Sequence, residues 1–119
     1  MPKFTKTASN QFNSLKLQTL NAIAETERRR IEAIAQGQTA EAKALKAHRE
    51  ALRDELFDIA DDELAFIKST LSIDEAEARV RAVAEEARGF VKNMKSVAST
   101  LNAAAGFLNI FTRLVTLFV

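Results

Sequence analysis

The C-terminal part of the chain carries a hydrophobic repeat whose members alternate three and four residues apart across residues 73–118. The repeat consists of Ile73, Ala76, Val80, Val83, Ala87, Phe90, Met94, Val97, Leu101, Ala104, Leu108, Phe111, Val115 and Phe118. This spacing keeps one apolar seam on a slightly underwound helix, so it predicts a single coiled-coil-like helix over about residues 72–118. Ser72 and Glu75 form a capping-box pattern at the start of this helix.

The flanks of the seam change character near Ser96. They are charged before Ser96, whereas Arg113 is the only charged residue after it. A helix that is apolar around most of its girth must contact lipid or other protein. We therefore expect the tail, residues 96–119, to provide a surface for oligomerisation or membrane insertion. The seam residues expected to form this surface are Met94, Val97, Leu101, Ala104, Leu108, Phe111, Val115 and Phe118.

The tail also carries a narrow stripe of polar and small residues. The stripe comprises Ser99, Asn102, Gly106, Asn109, Arg113 and Thr116. A hydrocarbon core of ~30 Å is crossed by about 20 helical residues, so the tail is long enough to span it, and the stripe fits a helix that lines an aqueous pore with its copies. Such residues are also found at helix contacts in soluble bundles. Lys92 and Lys95, just before the tail, are candidate interfacial anchors.

Two further helices are predicted before residue 72. The first covers about residues 9–36, with Ser9 or Asn10 as its N-cap, and ends at Gly37. The second covers about residues 39–70 and is capped by Thr39. The apolar residues expected to supply the core-facing sides are Phe12, Leu15, Leu20, Ile23, Ile31 and Ile34 in the first helix, and Leu45, Leu52, Leu56, Ile59, Leu64 and Ile67 in the second.

The pattern therefore predicts an all-α fold in a single domain over residues 1–119. Short links make neighbouring helices antiparallel, so we expect a helical hairpin followed by a long C-terminal helix, a three-helix bundle with an apolar overhang. At about 1.5 Å per residue, the third helix would be about 70 Å long against roughly 40–50 Å for the other two. A bend at Gly89 or Gly106 would instead fold the tail back over the hairpin.

Composition and charge fit this picture. The chain has no Cys, Trp or Tyr, one Pro and three Gly, which is typical of helices and not of a turn-rich β protein. Residues 1–40 carry six basic and three acidic side chains, and residues 41–70 carry five basic and eight acidic ones. These opposite signs favour pairing of the first two helices, and they do not form the single basic face that nucleic acid requires.

Catalytic and metal chemistry finds little support in the sequence. His48 is the only histidine and Cys is absent, so multi-histidine and thiolate metal sites are excluded, and His48 is expected at the boundary of the hairpin. One acidic cluster lacks the loop and the glycine of an EF-hand, so we interpret it as a solvated helix face. It consists of Asp58, Asp61, Asp62 and Glu63. We predict no catalytic residue, no cofactor and no metal.

Three consecutive arginines, residues 28–30, form the most basic run of the chain. On a helix they point in directions about 100° apart, so they do not form one phosphate clamp. We expect local ion pairs with Glu25, Glu27 and Glu32.

Two hypotheses of function follow from the sequence. The first is a non-enzymatic, self-associating helical protein, a homo-oligomer whose C-terminal helix forms a membrane-inserting, pore-forming or oligomer-core surface. The second is a soluble three-helix adaptor or structural subunit whose apolar tail packs on a dedicated protein partner. No apolar signal-peptide core follows Lys3 and Lys6, so we expect a cytoplasmic or membrane-associated protein without a Sec-type signal.

Overall fold

The computed structural model describes residues 4–118, apart from the side chains of residues 115 and 117. Over this range the chain forms four α-helices, namely α1 (Lys6–Ala35), α2 (Thr39–Lys68), α3 (Ile73–Lys92) and α4 (Val97–Leu114), followed by a 3-10 helix (Val115–Phe118). No strand occurs within the described range, so the predicted all-α class is confirmed. The predicted count of three helices is wrong.

The first two helices form the predicted hairpin. α1 begins earlier than predicted because Thr5, and not Ser9 or Asn10, is its N-cap: the Thr5 Oγ1 accepts a hydrogen bond from the Ala8 N–H at 3.0 Å. Gly37 has a φ of 72°, in the left-handed region where glycine meets no steric penalty. The chain reverses there, and α2 starts two residues later.

The predicted continuous helix over residues 72–118 is interrupted at residues 93–96. Asn93 is the C-cap of α3, and Ser96 and Ser99 then form a reciprocal cap for α4. The Ser99 N–H donates to the Ser96 Oγ at 3.1 Å, and the Ser96 N–H donates to the Ser99 Oγ at 2.9 Å. This arrangement is a capping box in which serine replaces the usual Glu or Gln. The chain therefore folds back, and the predicted overhang does not form.

Neither glycine that was predicted as a bend interrupts its helix. Gly89 lies inside α3 with open space around it, and Gly106 lies inside α4. The ring of Phe90 packs directly on Gly106, where an added Cβ would lie 2.5 Å from the Phe90 Cε1. The role of Gly106 is thus to allow close approach of α3 and α4, as small residues do at helix contacts.

The four helices enclose a common core in which α3 packs mainly on α1, and α4 packs on α2, α3 and α1. A cluster of aromatic rings closes one end, with Phe66 5.8 Å from Phe12 and 5.5 Å from Phe118 between ring centroids. At the other end, Val97 packs with Leu45 in a smaller cluster. The result is an elongated bundle of 53 × 20 × 17 Å.

Candidate functional site

The seam predicted to form a membrane or oligomer surface lies inside the bundle. Buried members of the seam are Met94, Val97, Ala104, Phe111 and Phe118, and Leu101 and Leu108 are partly buried against the core. The side chain of Val115 lies outside the described ones. The apolar side of α4 is therefore covered by the protein's own hairpin and α3.

The polar stripe of the tail lies largely on the solvent side of α4. Its exposed members are Asn102, Asn109, Arg113 and Thr116, whereas Ser99 caps α4 and Gly106 contacts Phe90. Arg113 Nη2 donates to Glu86 Oε1 at 2.5 Å and so joins α4 to α3. Lys92 and Lys95 are exposed at the link between these helices. Solvation and one ion pair thus account for the polarity of the stripe.

Among the described residues there is neither a helix able to span a membrane nor a group of side chains able to hold a metal ion. In that part of the chain, no helix has both the length and the apolar character needed to cross a membrane. The same residues contain no group of three or more metal-ligating side chains placed to hold an ion.

Two ion pairs join α1 to α2 and fix their register. Lys16 Nζ lies 2.5 Å from Glu63 Oε1, and Arg49 Nη1 donates to Glu27 Oε2 at 2.5 Å. Arg30 also donates to Glu27, through Nε at 2.9 Å and through Nη2 at 2.5 Å. The hydrogen bonds from Arg30 and then from Arg49 lower the pKa of Glu27 to about 2. Glu27 therefore stays ionised at neutral pH and ties the two helices together.

The other two arginines of the basic run have carboxylate partners on the same helix and share one of them, Glu25. Arg28 Nη1 lies 3.6 Å from Glu25 Oε1, and Arg29 Nη1 donates to Glu32 Oε2 at 2.7 Å. Arg29 Nη2 also donates to the Met94 carbonyl at 3.5 Å, which connects α1 to the link between α3 and α4. The prediction of local ion pairs is confirmed, and the run holds helices together without forming an anion clamp.

A row of titratable side chains lies along one side of α2, with His48, Glu55 and Asp62 seven residues apart. Asp62 is only 5% exposed, so the prediction that the whole acidic cluster is solvated is wrong for this residue. Burial, followed by the charges of Glu55, Asp61 and Asp58, raises the pKa of Asp62 to about 7. Burial also raises the pKa of Glu55 and lowers the pKa of His48. Ionisation inside this row therefore costs stability.

The most unusual surface of the molecule is a set of exposed apolar side chains on α1 and α2, which we call the hairpin face. Phe57 is the most exposed of them, at 75%. Isolated apolar residues are common on protein surfaces, but a set that shares one face indicates a contact surface. The hairpin face consists of Leu17, Leu20, Ile31, Ile34, Phe57, Leu64 and Ile67.

The spacing of these residues places them on the outer side of the hairpin. On α1, Leu20 lies one turn after Lys16 and Ile31 lies one turn after Glu27, and Lys16 and Glu27 both form ion pairs with α2. On α2, Ile67 lies one turn after Glu63, the partner of Lys16. Phe57 and Leu64 are seven residues apart and occupy one strip of α2. The two interhelical ion pairs bracket Leu20 on α1 and Phe57 on α2. These two side chains therefore lie in the same section of the hairpin.

The apolar pattern predicts part of the hairpin face to lie in the core, and that prediction is wrong for Leu20, Ile31, Ile34, Leu64 and Ile67. α1 buries smaller and more polar side chains on its core side, including Thr19 and Thr26. Thr19 Oγ1 donates to the Leu15 carbonyl at 2.8 Å, and Thr26 Oγ1 donates to the Ala22 carbonyl at 2.6 Å. These backbone partners satisfy the hydroxyl groups and allow their burial.

The hairpin face is accordingly the candidate functional surface of the described residues. Comparison of the chain with protein-family models, with curated proteins and with solved structures finds no match.

Proposed function

We propose that this chain is a non-enzymatic, self-associating helical bundle whose copies contact each other through the hairpin face. The observation that carries the proposal is the exposure of Phe57, together with six further large apolar side chains, on one side of the hairpin. Burying such side chains between two copies would remove apolar surface from water, and each Å² removed would stabilise the dimer by about 25 cal/mol. The same area left in water favours association.

The size of the hairpin face supports a second copy as its occupant. α1 and α2 have 30 residues each. Each helix is therefore about 45 Å long, and two side by side are about 20 Å wide, which gives a plan area on the order of 900 Å². A standard protein interface buries about 800 Å² on each partner. The outer side of the hairpin, on which the hairpin face lies, is therefore large enough for an interface of standard size.

The charges of the two helices also favour a second copy. α1 carries five basic and three acidic residues, and α2 carries five basic and eight acidic ones. A two-fold axis parallel to the helices sets α1 of one copy against α2 of the other. The more basic helix then faces the more acidic helix twice in the dimer, which favours this orientation electrostatically.

Burial of the seam in α4 supports the hairpin face, and not the C-terminal helix, as the surface of self-association. Membrane insertion of α4 would first require Phe107, Ile110 and Leu114, all fully buried, to leave the core. Each such side chain contributes about 1.5–3 kcal/mol through its burial. Association through the hairpin face needs no such rearrangement.

The test is light scattering coupled to size-exclusion chromatography for the wild-type chain and for Phe57→Glu and Leu20→Glu. We expect a mass of two chains for the wild type and of one chain for both variants at the same micromolar concentration. Ile73→Glu is the matched control, because Ile73 is 39% exposed but lies on α3, outside the hairpin face. This control should keep the wild-type mass, and circular dichroism should show equal helicity in all four proteins.

A wild-type chain that remains a monomer at the highest soluble concentration would refute self-association. The hairpin face would then fit the adaptor hypothesis, in which a different protein covers it. Vesicle flotation of the same four proteins tests the membrane hypothesis separately. Flotation of the wild type that is abolished by Phe57→Glu would reassign the hairpin face to a lipid surface.

A further inference from the structure

A groove lined mostly by residues with polar side chains lies between α1 and α3 and includes none of the residues of the hairpin face. It has a volume of about 260 Å³. That volume is slightly below the roughly 300–1,000 Å³ of pockets that bind drug-sized ligands, and it suits a smaller molecule. Arg81, Glu85 and Arg88 line the groove from α3, and Asn10, Gln11 and Ser14 line it from α1.

The two arginines give the groove its electrostatic character. Arg81 and Arg88 are seven residues apart, so they lie on one side of α3 and about 10 Å apart along its axis. Glu85 lies within one turn of both, yet within residues 4–118 neither arginine forms an ion pair with it or with another carboxylate. Both guanidinium groups are therefore available to an oxyanion, for which arginine is the preferred side chain.

The Glu85 carboxylate lies between the two arginines along α3 and lines the same groove. A carboxylate accepts hydrogen bonds and does not donate them, so a hydroxyl group beside the anionic group of a ligand can donate to Glu85. A second anionic group at that place would be repelled. The groove therefore suits a ligand that combines one anionic group with hydroxyl groups.

We infer that this groove binds a small phosphate monoester that also carries hydroxyl groups, a polyol phosphate. The phosphate would lie against Arg81 and Arg88, and a hydroxyl group would donate to Glu85. Asn10 and Ser14 add neutral donors and acceptors at the wall formed by α1. The inference is independent of self-association, because the groove and the hairpin face share no residue.

The test is nitrogen-15 NMR titration of the full chain with glycerol 3-phosphate, the simplest polyol phosphate. We expect saturable shifts of the Gln11 side-chain amide and of the backbone amides of Ser14 and Ala84 at millimolar concentration. Inorganic phosphate and glycerol each present half of the required chemistry, so both should bind at least about tenfold more weakly, which corresponds to about 1.4 kcal/mol. Equal binding of glycerol alone would overturn the inference.

Charge-matched variants distinguish the groove from general electrostatic attraction. Arg81→Gln with Arg88→Gln should weaken glycerol 3-phosphate binding by about tenfold or more. Lys43→Gln with Lys46→Gln removes the same charge from exposed positions of α2 and should leave binding unchanged. Both double variants should keep the wild-type mass in light scattering. No saturable shift in the wild type, or an equal loss in the two double variants, would refute the site.

A phospholipid headgroup presents related chemistry, so vesicles of phosphatidylglycerol in phosphatidylcholine form the second arm of the test. Binding of free glycerol 3-phosphate without vesicle binding identifies a soluble ligand. Vesicle binding that is lost in the arginine double variant identifies a headgroup as the source. Vesicle binding that persists in that variant, without binding of the free ester, would overturn the inference.

Discussion

The aromatic ring of Phe90 in α3 occupies the space that a side chain at position 106 of α4 would need, with the Phe90 Cε1 only 2.5 Å from the place of a Cβ on Gly106. The absence of a side chain at position 106 lets the Phe90 ring lie directly on α4. Gly89, the other helical glycine, differs in this respect, because nothing lies within 4 Å of a Cβ added there.

Gly89→Ala should stabilise the bundle and Gly106→Ala should destabilise it. Alanine is better than glycine in a helix by about 1 kcal/mol, and Gly89 offers room for the methyl group. At Gly106 the overpacking cost of about 1–3 kcal/mol outweighs that gain. Urea unfolding measures both changes. In a Phe90→Ala background the penalty at Gly106 should disappear, and a penalty that persists there would show that another contact excludes the methyl group.

Stability should fall as the pH rises from mildly acidic to mildly alkaline, because of Asp62. Its pKa is raised from 3.8 to about 7, so the neutral carboxyl stabilises the fold fully below about pH 4 and this contribution is lost as the pH rises through 7. The free energy of unfolding falls by about 1.4 kcal/mol per pH unit between the two pKa values, so the expected loss from about pH 5 to about pH 8 is on the order of 3 kcal/mol. Urea unfolding at about pH 5 and about pH 8 measures it.

Asp62→Asn should flatten this pH dependence and make the protein more stable than the wild type on the alkaline side. The matched control is Asp61→Asn, which removes the neighbouring carboxylate from an exposed position. That change should leave most of the slope in place. An unchanged slope in Asp62→Asn would locate the pH dependence at Glu55, whose pKa is also raised, because the lowered pKa of His48 gives a slope of the opposite sign.

The pKa of Glu27 should depend more on Arg30 than on Arg49. Glu27 titrates at about 2, and the hydrogen bonds from Arg30 contribute most to that shift. Carbon-13 NMR titration of the Glu27 carboxyl should therefore show a larger upward shift in Arg30→Gln than in Arg49→Gln. Because the pKa is lowered, the stabilising contribution of Glu27 is complete above about pH 4.5 and is lost as the pH falls through 2. An equal shift in both variants would contradict the ranking.

The cap at the start of α4 should tolerate glutamate but not alanine at position 99. Ser99→Ala removes the Ser99 Oγ, which accepts from the Ser96 N–H at 2.9 Å and from the Lys95 N–H at 3.1 Å, and should cost about 1 kcal/mol in thermal or urea unfolding. Ser99→Glu restores the usual capping box with Ser96 and should retain most of the stability. Asn102→Ala is the control at an exposed position of the same helix. A loss in the glutamate variant equal to that in the alanine variant would rule out the capping role.

The hairpin was predictable because its signals are local. Gly37 marks the turn by its backbone conformation, and opposite charges on the flanking helices match the observed ion pairs between them. The start of α1 was missed because Thr5 precedes a stretch with few apolar residues. A single hydroxyl group, that of Thr5, caps α1, and the sequence offers several other polar residues nearby that could act as the N-cap.

The break between α3 and α4 was not predictable from periodicity. Met94 and Val97 are both buried, so the apolar repeat runs on while the backbone turns. Only the two serines signal the break, and serine at an N-cap is common in loops as well. The hairpin face was missed for a related reason. The core side of α1 includes Thr19 and Thr26, and hydrophobic periodicity assigns the side that carries leucine and isoleucine to the core instead.

The apolar repeat continues in phase through residues 93–96, so its spacing would be satisfied equally by one straight helix over residues 73–118. In such a helix α4 would not contact α2, and the side of the hairpin that α4 covers would lie open. Four residues between two helices, through their capping hydrogen bonds, therefore determine that the core is closed by the chain's own C-terminal helix.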